Sequence, residues 1–192
     1  TKAELVEAVP ADGVAILNGD DQRVRSMATL CRGRVLTYGL GAENDLRADR
    51  IETGGLAGSS FRLHLSGETH EVETSLVGGH AVELALAGLA VGHAMGMNVS
   101  EMIPGLRASG IQVRLLPIDG PNGSRLIDDT YNASAPSVLS ALGLLAEIAA
   151  RRKIAVLGDM RELGDVSEEQ HRLVGRRTAE VADELVTFGT LA

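Results

Sequence analysis

The chain has 192 residues, of which 44% are hydrophobic but only 2% aromatic, and it contains no Trp. That is enough apolar surface for one domain or two small ones with an aliphatic core, as in layered α/β folds, and it leaves little for stacking on nucleic-acid bases. A formal charge of −8 argues against general nucleic-acid binding, and a single cysteine, Cys31, excludes an internal disulfide and a Cys-rich zinc site, so its expected role is that of a buried structural thiol.

In chain order, Lys2-Ala-Glu-Leu-Val-Glu reads as the end of a helix already under way. Val14 to Asn18 is a short apolar strand, followed by a helix through Val24, Met27, Ala28 and Cys31 and a strand from Val35 to Tyr38, which makes a β-α-β unit. Asp20 and Asp21, between strand and helix, are expected to fix a turn rather than to bind metal. From Leu46 to Leu76 the period becomes two. Phe61, Leu63 and Leu65 alternate with polar residues and Gly67-Glu68 marks a hairpin turn, which predicts half-exposed antiparallel strands.

His80 to Met95 reads as a helix buried against a sheet, and a second helix is expected from a Ser100 cap to Gly110. A new unit then begins: strands Val113 to Ile118 and Arg125 to Asp129 around the turn Asp119-Gly-Pro-Asn-Gly123, and a helix after Pro136 with Val138, Leu142, Leu145 and Ala149 on one side. Strand Ile154 to Leu157 follows. Ser167-Glu-Glu-Gln170 reads as a capping box opening a helix whose apolar face runs through Leu173, Val174, Val181 and Leu185, and a strand from Glu184 to Gly189 ends the chain. Alternation of strand and helix is the order of an open, mainly parallel sheet. Both ends look cut.

The longest apolar stretch, Ala81 to Met97, is interrupted by Glu83 and His93, and no basic-then-apolar leader opens the chain, so no membrane span is expected and the expected location is cytoplasmic. His64, His70 and His93 form no recognisable ligand set. Gly39-Leu-Gly41 follows a strand but lacks the third glycine of a dinucleotide fingerprint.

Five segments together carry a resemblance: Lys2-Ala-Glu, Leu17-Asn-Gly-Asp-Asp21, Gly78-Gly-His80 heading an Ala-rich helix, Ile127-Asp-Asp-Thr-Tyr-Asn-Ala133, and Gly158-Asp-Met-Arg-Glu-Leu-Gly164 with His171 behind it. The chain resembles the Mur ligases along essentially its whole length, most closely the branch that adds D-alanyl-D-alanine to the peptidoglycan precursor. The resemblance implies an α/β fold in which residues 1–110 form the later part of the central ATPase domain and residues 111–192 the first part of a Rossmann-like C-terminal domain with a mainly parallel sheet. The family's Gly-Lys-Thr phosphate loop is not in the sequence, so these residues alone are expected not to turn over.

The implied reaction uses ATP and Mg2+, with a UDP-N-acetylmuramoyl peptide and D-alanyl-D-alanine as substrates. ATP phosphorylates a carboxylate, the dipeptide amine attacks the acyl phosphate, and phosphate leaves from a tetrahedral intermediate. For nucleotide contacts the resemblance points to Asp129 (ribose hydroxyls), Tyr131, Asn132, Arg114 (phosphates) and His80; for the amino substrate, to Asp159 and Glu162; and for a magnesium-facing carbamate in the intact enzyme, to Lys2.

A plainer reading stands beside most of them: a helix-capping turn at Asp129, a turn residue bonding through its own side chain at Asn132, a half-exposed strand arginine at Arg114, a solvated loop at Asp159 and Glu162, a solvated amine at Lys2. No residue is assigned a catalytic proton. The family's Asn positions after His80 are Ala81 and Leu84 here, the second of which the resemblance associates with adenine, its Asn at position 134 is Ser134, and its Gly before Arg114 is Val113. These departures keep two alternatives open: a ligase-like module that binds a nucleotide or protein partner without catalysis, and a superfamily amide ligase with a different acceptor.

Overall fold

The computed structural model describes residues 2–107 and 114–192, and two compact units divide the chain. The first comprises Thr1–Gly54, Gly58–Leu76 and His80–Ser109, and the second Gly110–Ala192 with the short stretches Gly55–Ala57 and Val77–Gly79. The expected junction at 110/111, the start of a strand at Val113 and the end of a helix at Gly110 lie outside the described residues.

In the first unit, α1 (Lys2–Glu7) precedes β1 (Val14–Asn18), α2 (Gln22–Ser26) and β2 (Arg34–Gly39), and β1 pairs parallel with β2. The helix expected to run through Cys31 is shorter, because a 3-10 turn over Met27–Leu30 takes over, and Cys31 is half-buried rather than buried. β3 (Leu46–Thr53) starts alongside the last two residues of β2 and runs on past them, so a six-residue link suffices for a parallel pair that otherwise needs a long crossover. β4 (Ser59–Leu65) and β5 (Glu68–Thr74) complete the five-stranded sheet in antiparallel fashion. Ser66 and Gly67, both at positive φ, form the two-residue turn between them, the handedness that matches strand twist.

The alternation along β4 sorts its residues as expected. Phe61 (1% exposed), Leu63 and Leu65 point into a core with Leu46, Val72 and the buried face of α3 (Ala81–Ala94), namely Val82, Ala85, Leu86, Leu89 and Ala90. The opposite face carries a polar ladder. Asp49 of β3 takes two hydrogen bonds from Arg62 of β4, at 2.7 and 3.1 Å, and lies 3.0 Å from His64 Nε2. β1 and β5 are the edge strands of the described sheet. The β1 side chains are covered on both faces, by Ala15 and Leu17 packing with Val6 and by Val14 and Ile16 against the main core, and among the described residues no strand pairs with its outer edge.

α4 (Val99–Arg107) begins one residue before the expected Ser100 cap. The Asn98 N–H donates to the Glu101 carboxylate at 2.8 Å, so Asn98 and not Ser100 begins the helix.

In the second unit, β6 (Leu116–Asp119) and β7 (Arg125–Asp128) form an antiparallel hairpin, α5 (Ala135–Glu147) follows, and β8 (Ile154–Gly158), α6 (Ser167–Val181) and β9 (Glu184–Phe188) make a parallel β-α-β unit. Among the described residues the two strand pairs are separate ladders. α5 lays Leu142 and, partly, Val138, Leu139 and Leu145 against Ala155 of β8 and Val174 of α6. The expected capping box at Ser167 is absent: a 3-10 turn, Gly164–Val166, leads directly into the helix and puts Ser167 inside it. A reciprocal cap stands instead at α5, where the Ser134 N–H donates to Ser137 Oγ at 3.0 Å. On α6 the buried residues are Val174 and Thr178, whose hydroxyl donates to the Val174 carbonyl, while Leu173 is exposed and Leu185 belongs to β9.

Candidate functional site

β7 ends at Asp128, and the six residues from Asp129 to Ser134 connect it to α5. The Asp128 carboxylate accepts hydrogen bonds from the Thr130 hydroxyl and, at 3.0 Å, from the Thr130 N–H, and together these hold its pKa below the usual carboxylate range. Asp128 therefore shapes the turn and leaves Asp129 as the carboxylate beyond it. Arg114 reaches across and clamps Asp129: its Nε donates to one carboxylate oxygen, its Nη2 to the other at 3.1 Å, and the same Nη2 also donates to the Asn132 carbonyl at 3.0 Å. The Asn132 side-chain oxygen accepts the Ala133 N–H, and Tyr131, 84% exposed, projects from the middle of the turn.

Four of the residues expected to face nucleotide, Arg114, Asp129, Tyr131 and Asn132, are thus brought together by one ion pair in the second unit. Sequence reasoning missed the pair itself. Partners fifteen residues apart leave no spacing signal. Chemically the cluster offers a planar five-donor fork, a carboxylate and an exposed ring at the carboxyl end of a strand, where open α/β sheets bind ligands.

His80 belongs to the first unit, where it stands before the first turn of α3 with its Nδ1 3.3 Å from the Glu83 carboxylate. Ala81 is buried at 1% exposure and Leu84 is 59% exposed. Lys2 is exposed in the first turn of α1. Among the described residues no three His, Cys, Asp or Glu side chains are placed together to hold a metal ion.

The loop after β8 carries Asp159 and Glu162. Both oxygens of Asp159 accept backbone N–H groups, from Thr190, Leu191 and Ala192 at 2.9–3.0 Å, which keeps its carboxyl below the ordinary range. Glu162 is exposed, at a φ of 61°.

An open cleft of about 640 Å3 lies at the carboxyl ends of β1 and β2, lined by Gly19, Asp20, Gln22, Arg25, Leu40, Gly41 and Glu43. Sequence reasoning did not single it out. Burial opposes ionisation of Asp20, but the N–H groups of Leu40 and Gly41 and the Asn44 amide more than offset this and lower its pKa. Asp21 caps α2 through the N–H groups of Arg23 and Val24. A Cβ at Gly39 or Gly41 would crowd the Asp20 carboxylate.

Comparison with known proteins supplies the family. Residues 1–92 match the Mur ligase middle domain and residues 113–191 the domain described as Mur ligase, glutamate ligase domain. The chain belongs to the Mur ligase family. It is 35% identical, over 99% of its length, to the UDP-N-acetylmuramoyl-tripeptide--D-alanyl-D-alanine ligase of Mycobacterium tuberculosis and 30% identical to that of Bacillus subtilis, covering 39% and 41% of those proteins.

The crystal structure of MurF from Acinetobacter baumannii superposes with a TM-score of 0.87 at 30% identity over 100% of this chain and 42% of that one. The MurF ligase from Thermotoga maritima in complex with ADP gives 0.81 at 26%, over 98% and 43%. The chain therefore spans about two fifths of the length of the Mur ligases it matches. No helix among the described residues is long and apolar enough to cross a membrane.

Proposed function

We propose that the polypeptide carrying this sequence is a cytoplasmic, ATP-dependent amide ligase of peptidoglycan precursor synthesis that joins D-alanyl-D-alanine to a UDP-N-acetylmuramoyl tripeptide. The observation that carries this reading is the Arg114–Asp129–Asn132 cluster, standing in a chain that is similar along its whole length to ligases of that specificity. In this reading an oxygen of the tripeptide carboxylate attacks the γ-phosphorus of ATP, giving an acyl phosphate and ADP. The dipeptide amine then adds to the acyl carbon, loses a proton, and inorganic phosphate departs with the electrons of the C–O bond.

Within this chain, Asp129 accepts the ribose hydroxyls, Arg114 supplies positive charge to the phosphates, and Tyr131 and Asn132 line the same turn. His80 adds a nucleotide contact from the head of α3, and Asp159 and Glu162 serve the amino substrate. Lys2, as a carbamate in the complete enzyme, would add negative charge beside the magnesium that accompanies ATP. Phosphate-loop chemistry has to come from residues other than these, since the sequence contains no Gly-Lys-Thr or Gly-Lys-Ser.

A second reading, a module that binds nucleotide or a partner without catalysis, is favoured by one observation: exposed Leu84 stands where the resemblance implies an amide facing adenine. The deciding experiment is ligation by the complete polypeptide, following ADP release with UDP-N-acetylmuramoyl tripeptide and D-alanyl-D-alanine. Turnover that needs both substrates supports the ligase. Nucleotide binding without turnover supports the module, and turnover only with another amine supports a ligase of different acceptor.

A further inference from the structure

Both ring nitrogens of His171, one turn into α6, are in use. Nε2 accepts the Met160 N–H at 3.0 Å, and Nδ1 lies 2.8 Å from the Ser167 carbonyl oxygen. A carbonyl oxygen can only accept, so Nδ1 carries the hydrogen and Nε2 the lone pair, which defines the neutral Nδ1–H form. One side chain thereby ties the loop after β8 to the first turn of α6.

Asp159 ties the neighbouring residue of that loop to the chain after β9 through three N–H groups, and a Cβ at Gly189 would run into its carboxylate. Met160 is 3% exposed and shares an apolar cluster with Ala133 and Ala135, which flank the start of α5. Beyond these pins, Glu162 adopts a φ of 61°, a conformation residues with a Cβ rarely take, and its side chain makes no hydrogen bond or ion pair among the described residues. Strain of this kind persists where the surroundings over-determine it, and the loop follows the carboxyl end of a parallel strand.

We propose that His171 is a positioning residue that, through the Met160 N–H, holds the loop in the conformation that presents the Glu162 carboxylate to the amino group of the incoming substrate. Asp159 belongs to the same bracing, so the two acidic residues of the loop divide the work: one is consumed by backbone, the other is displayed. The proposal rests on the ligase reading for the identity of the amine, but not for the tie between His171 and Met160.

Two measurements test it. Amide hydrogen exchange of the 192-residue chain should show the Met160 N–H exchanging roughly tenfold faster in His171→Ala, with the β8 amides unchanged, and less accelerated in His171→Gln, whose side-chain oxygen can still accept. In the complete enzyme, His171→Ala and Glu162→Gln should each raise KM for D-alanyl-D-alanine roughly tenfold and leave KM for ATP within about twofold, with His171→Gln recovering part of the loss.

Unchanged Met160 exchange in His171→Ala overturns the tie. An unchanged dipeptide KM in Glu162→Gln, or ATP and dipeptide KM values rising together, overturns the presenting role. If the wild-type enzyme ligates no D-alanyl-D-alanine, the ligase reading falls and takes the partner of Glu162 with it, while the exchange measurement still decides the tie. If His171→Ala does not fold, His171→Gln and Glu162→Gln carry both measurements.

Discussion

Arg114 and Asp129 hold each other through two parallel hydrogen bonds, with side chains 33% and 17% exposed. The pair is neither a screened surface contact nor a fully desolvated one, so its worth lies between those limits. Arg114→Ala and Asp129→Ala should each destabilise the chain by about 1–2 kcal/mol in urea unfolding, and the double variant should cost less than their sum, because each single change strands the other charge. Arg114→Lys, which keeps the charge and loses the fork, should behave more like Arg114→Ala than like the wild type. In the complete polypeptide both Ala variants should weaken ATP binding, measured by calorimetry.

The polar ladder of the first unit gives a pH signature. The Arg62 hydrogen bonds, helped by His64, pull the Asp49 carboxyl down to about 2. A carboxylate whose pKa is lowered by folding contributes stability that is present above its unfolded pKa, about 4, and is lost as pH falls from there through the folded value. Thermal melts of wild type and Asp49→Asn should therefore differ most at neutral pH and converge by about pH 2. A constant offset down to that pH would show that Asp49 acts through packing alone.

Phe61 fills the centre of the first unit at 1% exposure, and Phe61→Ala should cost about 3–5 kcal/mol by transfer and cavity terms, read as a lower urea midpoint with an unchanged slope. Tyr131→Ala, removing a ring that is 84% exposed, should leave stability within about 0.5 kcal/mol while lowering nucleotide affinity in the complete polypeptide.

Introducing amides at positions 81 and 84 should give opposite results for stability. Leu84→Asn, on an exposed position, should be tolerated within about 1 kcal/mol and sharpen the preference for ATP over GTP. Ala81→Asn, on a site 1% exposed, should destabilise by about 1–3 kcal/mol because it buries an amide without a ready partner. Competition binding and urea unfolding would check both.

The strand alternation of β4, the packing of α3 against the sheet and the β-α-β order of the second unit were legible in the sequence, because composition, period and turn chemistry are local. Helix starts were less so. Ser100 and Ser167 have the right chemistry for caps, but Asn98 paired with Glu101 first, and a 3-10 turn carried the backbone into α6 before Ser167 was needed. The Arg114–Asp129 clamp and the three N–H bonds to Asp159 depend on contacts 15 and 31 to 33 residues apart, which no spacing rule reports. The motif at Asp129 was readable by family resemblance. Its partner became visible only in three dimensions.

The strand Val14–Asn18 has no charged residue, and both of its faces are covered. Among the described residues no strand pairs with its outer side, where backbone donors and acceptors form a template on which another strand can pair. Against that stands the repulsion of a net charge of −8, which weakens as salt is added. For the 192-residue polypeptide on its own, the expected outcome is association through this edge that grows with concentration and with added salt, and light scattering across a salt series would check it.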